Sequence, residues 1–134
     1  MDIFEEALSK LGVKIQFDSE NVFACELTEK SQGNHSSELF FSAYRDQSNM
    51  SLRLAVMTQH SITQEMEIAL YQSLLHAAAG PLRGDIGVAI LEGSNRITVY
   101  QTVLLSENNP TQVMEMIEKL IAEAEKWDKE LISR

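Results

Sequence analysis

The stretch ITQEMEIALYQSLLHAAAG, residues 62–80, decides how the rest of the chain is read. Met66, Ala69, Leu70, Ser73, Leu74 and Ala77 recur at the i, i+3, i+4, i+7 spacing of one buried helical face. Ile68, Tyr71, Leu75 and Ala78 recur at the same spacing on a neighbouring face. The spacing predicts a helix over residues 62–79, opened by Ser61 and Gln64 as a capping box and ended by Gly80-Pro81. A surface helix of a small domain needs one apolar stripe. The second needs a cover of its own, and a second copy of the chain is the simplest one. Ile68, Tyr71, Leu75 and Ala78 are accordingly the expected interface of a homodimer.

Upstream, Asp2 with Glu5 forms a capping box ahead of the amphipathic run Ile3, Phe4, Ala7, Leu8 and Leu11, and Gly12 is a natural C-cap. Val13, Ile15 and Phe17 alternate with Lys14, Gln16 and Asp18, the pattern of a half-buried strand. Turn residues 18–21 lead into a partner strand over 22–28. Residues 29–37 are polar, contain Gly33-Asn34, and read as a loop. Residues 38–45 and 50–57 are two further strands around the turn Asp46-Gln47-Ser48-Asn49.

Downstream, residues 85–92 and 96–105 flank Gly93-Ser94-Asn95, a strong hairpin signal. Asn109, Pro110 and Gln112 open a last helix whose stripe is Val113, Met116, Ile117, Leu120, Ile121, Ala124, Trp127 and Leu131. Short turns between strand neighbours imply antiparallel pairing. The expected fold is α+β: a largely antiparallel twisted sheet of five to six strands with three helices, in the order α-β-β-β-α-β-β-α. Residues 1–134 form one domain.

The composition narrows the functions. Net charge is -9 and the pI is near 4.7. Phosphate backbones and anionic membranes would be repelled, so nucleic acid is not an expected partner. Doubling that charge in a dimer keeps an adhesive surface soluble. Hydrophobic residues make up 44% of the chain, enough for a core. Cys25 is the one cysteine, which fits a reducing cytoplasm. The opening Asp2, Glu5 and Glu6 lack a basic n-region, so no secretory signal is expected. No apolar run reaches the roughly 18 residues of a membrane span.

No catalytic, cofactor or metal constellation emerges. Cys25 has no neighbouring base and reads as a small core thiol. His35, His60 and His76 share no metal-ligand spacing and read as solvated or interfacial. The stretch Gly80-Pro81-Leu82-Arg83-Gly84-Asp85 lacks the lysine end of a phosphate loop and follows a helix rather than a strand. Its Arg83-Gly84-Asp85 is a chance match to an adhesion tripeptide. Glu115, Glu118, Glu123, Glu125, Asp128 and Glu130 read as the solvated face of the last helix. Met50, Met57, Met66, Met114 and Met116 soften core or interaction surfaces.

Two short stretches carry a resemblance. One is Leu11-Gly12-Val13 at the end of the first amphipathic helix. The other is Leu74-Leu75-His76-Ala77-Ala78-Ala79-Gly80-Pro81-Leu82, running into a strand over residues 86–91. With the length, the acidity and the acidic closing helix, the chain resembles the class I type III secretion chaperones, the Tir chaperone family. The likeness spans nearly the whole chain. The residues give four strands ahead of the central helix where that family has three. Either residues 13–17 and 22–28 form one short hairpin, or one of the four is not a strand.

The resemblance implies a bacterial cytoplasmic homodimer, without cofactor or enzymatic activity. Such a dimer holds the N-terminal segment of a secreted effector in extended form, soluble and ready for export. Phe4, Leu8, Leu11, Val13, Ile15 and Phe17 are the candidate partner-binding residues, since an apolar pocket beside a sheet edge suits an added strand. A regulatory adaptor or anti-activator of the same fold, binding one fixed protein partner, is the alternative. A small enzyme built on a histidine is the remaining one.

Overall fold

The computed structural model describes residues 2–30, 36–63 and 68–132. Helix α1 (Ile3–Leu8) starts where Asp2 accepts the Glu5 amide at 2.8 Å. A 3-10 turn, Ser9–Leu11, prolongs it, and Gly12 ends it with φ of 78°, a left-handed conformation that glycine adopts without strain. The predicted strand over residues 13–17 does not form: this segment joins no ladder. Its Ile15 and Phe17 pack against the core. The turn that follows makes one strand-like bond, Asp18 N–H to the Val22 carbonyl at 2.9 Å. The Asp18 carboxylate takes the Glu20 and Val22 amides and so closes a local turn into the strand that begins at Val22. Alternation here serves inward packing, and three strands precede the central helix.

The elements that follow are β1 (Val22–Lys30), β2 (Ser36–Asp46), β3 (Ser51–Ser61), α2 (Ile68–Ala77), β4 (Gly87–Leu91), β5 (Arg96–Leu104) and α3 (Pro110–Ile132). The five strands form one antiparallel sheet in the order β1-β2-β3-β5-β4. β1 and β2 pair as far as Lys30 and Ser36, well into the stretch expected to be a loop. Gly33-Asn34 lies outside the described residues. Ser61 closes β3 and is not a helix cap. Its hydroxyl donates to the Ser94 carbonyl at 3.0 Å, and Ile62 and Thr63 are not helical. Gln64 and Met66 lie outside the described residues.

Beyond α2, a second 3-10 turn spans Gly80–Arg83. Gly80 is there because nothing larger fits: a Cβ would fall onto the Ile86 carbonyl. α3 begins with the reciprocal capping box of Asn109 and Gln112, both bonds at 2.9 Å. It lies across β2, β3 and β5, and α1 packs beside it. Val113, Ile117, Leu120, Ile121, Ala124, Trp127 and Leu131 are buried on the sheet as their spacing demands. Against them stand Phe23, Phe41, Ala43, Leu54, Val56, Ile97 and Val99. The core therefore lies on one face of the sheet.

Candidate functional site

The six candidate partner-binding residues separate in the fold. Phe4 (4% exposed) and Leu8 (0%) are core side chains, not surface ones. They are the inward face of a helix too short to hold more than one. Leu11, Ile15 and Phe17 are half-buried, and Val13 is 47% exposed. Phe17 sits in a chain of edge-to-face rings, 6.5 Å from Phe4 and 6.4 Å from Phe23, which in turn stands 6.3 Å from Phe41. The Arg45 guanidinium lies 4.7 Å over the Phe17 ring, donates to Asn21 Oδ1 at 2.8 Å and meets Asp2 at 3.3 Å. This clamp ties the segment over residues 13–17 beside β1, an edge of the sheet.

The central helix divides its apolar residues unevenly. Leu70 and Leu74 are buried, whereas Ala69 and Ser73 of the same expected stripe are exposed and Ala77 is half-buried. The covered stripe is narrower than its spacing suggests because α2 rests against the short edge strand β4. On the second stripe Ile68 is 75% exposed and Leu75 is 73% exposed, with Tyr71 and Ala78 also exposed. Tyr71, Leu74, Leu75 and Ala78 join Val88, Ala89 and Ile90 of β4 to line an apolar concavity of about 250 Å³.

A third surface escaped the sequence reading. α1 and α3 lie on one face of the sheet, and the opposite face carries Phe40, Tyr44, Ala55, Met57, Tyr100 and Leu104. Tyr44, Tyr100 and Leu104 are exposed and the others half-buried. Arg96 stacks 4.7 Å over Phe40 and Arg53 5.4 Å over Tyr44. Gly87 leaves room for the Tyr100 ring, which a Cβ would strike. The signal lay in β2 and β5, where Phe40 and Tyr44, and Tyr100 and Leu104, occupy positions that a solvated face would give to polar residues.

The chemistry-bearing residues are dispersed. Cys25 is half-buried, and that burial pushes its thiol up, away from the reactive thiolate. His76 is exposed on α2, and His35 lies outside the described residues. No group of three or more His, Cys, Asp or Glu stands ready for a metal among the described residues. Asp128 departs from the expected solvated acidic face: it is 2% exposed and accepts the His60 amide at 3.0 Å, with the His60 ring 3.1 Å away. One turn of α3 reaches the end of β3 there, a contact no local pattern reveals. Among the described residues, no helix is long and apolar enough to cross a membrane.

What the geometry offers is apolar surface around an open sheet. The model of the Tir chaperone protein (CesT) family matches residues 3–128. The chain belongs to that family. No curated protein matches by sequence. Among solved structures, the HopA1–SchA chaperone–effector complex contains a chain with 16% identity and a TM-score of 0.67, over 95% of this chain and 91% of that one. A chain of the ExsC–ExsE complex has 15% identity and a TM-score of 0.69, over 96% and 90%. A chain of the heterodimeric ExoU–SpcU complex, from the type III secretion system of Pseudomonas aeruginosa, has 12% identity and a TM-score of 0.61, over 97% and 98%. These likenesses establish the fold: the α+β arrangement of one open antiparallel sheet and three helices is the one those chains share.

Proposed function

We propose that this protein is a cytoplasmic type III secretion chaperone that binds the N-terminal segment of a secreted effector in extended form. The observation that carries the reading is the family match across residues 3–128. Solved chains of the same fold come from a chaperone–effector complex and from a type III secretion complex. The exposed side chains fit the task. A wrapped segment needs apolar anchors and an edge to pair with, and Val13, the half-buried Leu11, Ile15 and Phe17, and the edge strand β1 supply both. It acts by binding, without catalysis or cofactor.

The working unit is a homodimer built on α2 and β4. Ile68, Tyr71, Leu75 and Ala78 present an apolar stripe, and the concavity beside β4 continues it. Exposed apolar area of this kind is rare on a stable monomer and ordinary on a subunit.

The test is calorimetric titration of the N-terminal segment of a secreted protein encoded beside this gene. Binding of the isolated, unfolded segment, with only slight weakening as salt rises, is the expected result. Each large anchor fully buried contributes about 1.5–3 kcal/mol, so a few of them offset the cost of ordering the segment. Recognition of the folded partner only, with no affinity for the segment, would reject this reading in favour of a fixed-partner adaptor.

A further inference from the structure

The end of β3 holds a polar network that the binding reading does not use. β3 and β5 pair in a straight register from Ser51↔Leu104 to Met57↔Thr98. The next pair is Ser61↔Arg96, so β3 carries two more residues than β5 across the gap. The shifted register continues, with Ile62 N–H donating to the Asn95 carbonyl at 2.8 Å. A straight continuation would instead set Gln59 opposite Arg96.

Hydrophobic patterning does not choose between these two registers. Side chains alternate with a period of two along a strand, so a slip of two residues leaves each one on its own face. Something specific must select the bulge. Thr58 is fully buried; its Oγ1 accepts the Ile97 amide at 3.1 Å and donates to the His60 carbonyl at 2.8 Å. Asp128 comes from α3. Its Oδ1 accepts the His60 amide at 3.0 Å, and the His60 ring lies 3.1 Å and 3.2 Å from the two carboxylate oxygens. Three backbone groups at the bulge, the Ile97 and His60 amides and the His60 carbonyl, thus meet side chains placed for them.

We propose that Thr58 and Asp128 set the register, holding the end of β3 in its bulged rather than its straight pairing with β5. In the straight pairing His60 enters the ladder, and the buried Asp128 carboxylate loses its amide partner. An unpartnered buried charge is far costlier than the bulge itself. The register also fixes where the chain leaves the sheet, because Ile62 rather than His60 bonds to Asn95. The inference holds whether or not the protein is a chaperone.

Cross-strand proton contacts in the full chain, measured by nuclear magnetic resonance, decide it. The native protein should give Ser61–Arg96 contacts. Thr58→Val and Asp128→Leu should bring up Gln59–Arg96 contacts as a major set, from none detected. Thr58→Ser and Asp128→Asn, which keep an acceptor oxygen, should retain the native set. If Thr58→Val and Asp128→Leu lower the melting temperature but keep Ser61–Arg96 contacts alone, the network serves stability and the proposal fails. Failure of both variants to fold would overturn it equally. Thr58→Val, which swaps a hydroxyl for a methyl at equal volume, is the milder of the two.

Discussion

Leu74 and Leu75 are neighbours on α2 with opposite surroundings, and introducing a charge at each separates folding from assembly. Leu74 is 6% exposed and Leu75 is 73% exposed in the single chain. Leu74→Asp would bury an unpaired carboxylate beneath α2 and should cost several kcal/mol of stability. Leu75→Asp changes a solvated position of the isolated subunit, and surface changes there stay within about ±0.5 kcal/mol. In a two-fold dimer the same position is met twice. Removing one buried leucine from each subunit forfeits about 1.5–3 kcal/mol, hence about 3–6 kcal/mol for the pair. At about 1.4 kcal/mol per tenfold change, the dimer should weaken by roughly 10²- to 10⁴-fold. Sedimentation equilibrium across a concentration series reads this directly. The native protein should have twice the 15.1 kDa mass of the chain, and Leu75→Asp should have the single mass with unchanged circular dichroism. A native monomer at micromolar concentration, or a Leu75→Asp dimer of native affinity, would refute the assignment of this face.

Four further outcomes are expected. Val13→Asp, at an exposed position beside the β1 edge, should weaken binding of an effector segment by calorimetry while leaving the melting temperature unchanged; Leu8→Asp, in the core, should unfold the protein instead. Gly80→Ala should destabilise markedly in urea, because its new methyl meets the Ile86 carbonyl backbone rather than a movable side chain. Asn109→Ala removes the acceptor for the Gln112 amide and should cost about 1 kcal/mol in the same assay. Asp46 is held below the ordinary carboxylate range, chiefly by the Ser48 hydroxyl at 2.7 Å. Folding thus favours its charged form, so its contribution is present at neutral pH and fades as pH falls through the lowered value. Proton titration of Asp46 by nuclear magnetic resonance should place its midpoint above the native one in Ser48→Ala.

Elements with local signals were legible in the order of residues alone. The Asn109–Gln112 box, the α3 stripe and the hairpin at Gly93-Ser94-Asn95 depend on residues a few positions apart, and all three stand where their spacing puts them. The family likeness was legible for the same reason: it rests on element order and two continuous stretches. The remainder came from the assembled fold, because burial is a property of what lies across it. Val13, Ile15 and Phe17 alternate like a strand, yet Ile15 and Phe17 pack inward, and Phe17 lies under an Arg45 clamp that comes from β2. Phe4 and Leu8 carry the same apolar character as Ile68 and Leu75, but α3 covers the first pair, whereas the second stays exposed among the described residues. Asp128 has the sequence surroundings of a solvated acid, and only the approach of α3 to the bulged end of β3 buries it on His60. Periodicity says which residues share a face; which faces meet is settled by strand order and register, through contacts between residues dozens of positions apart.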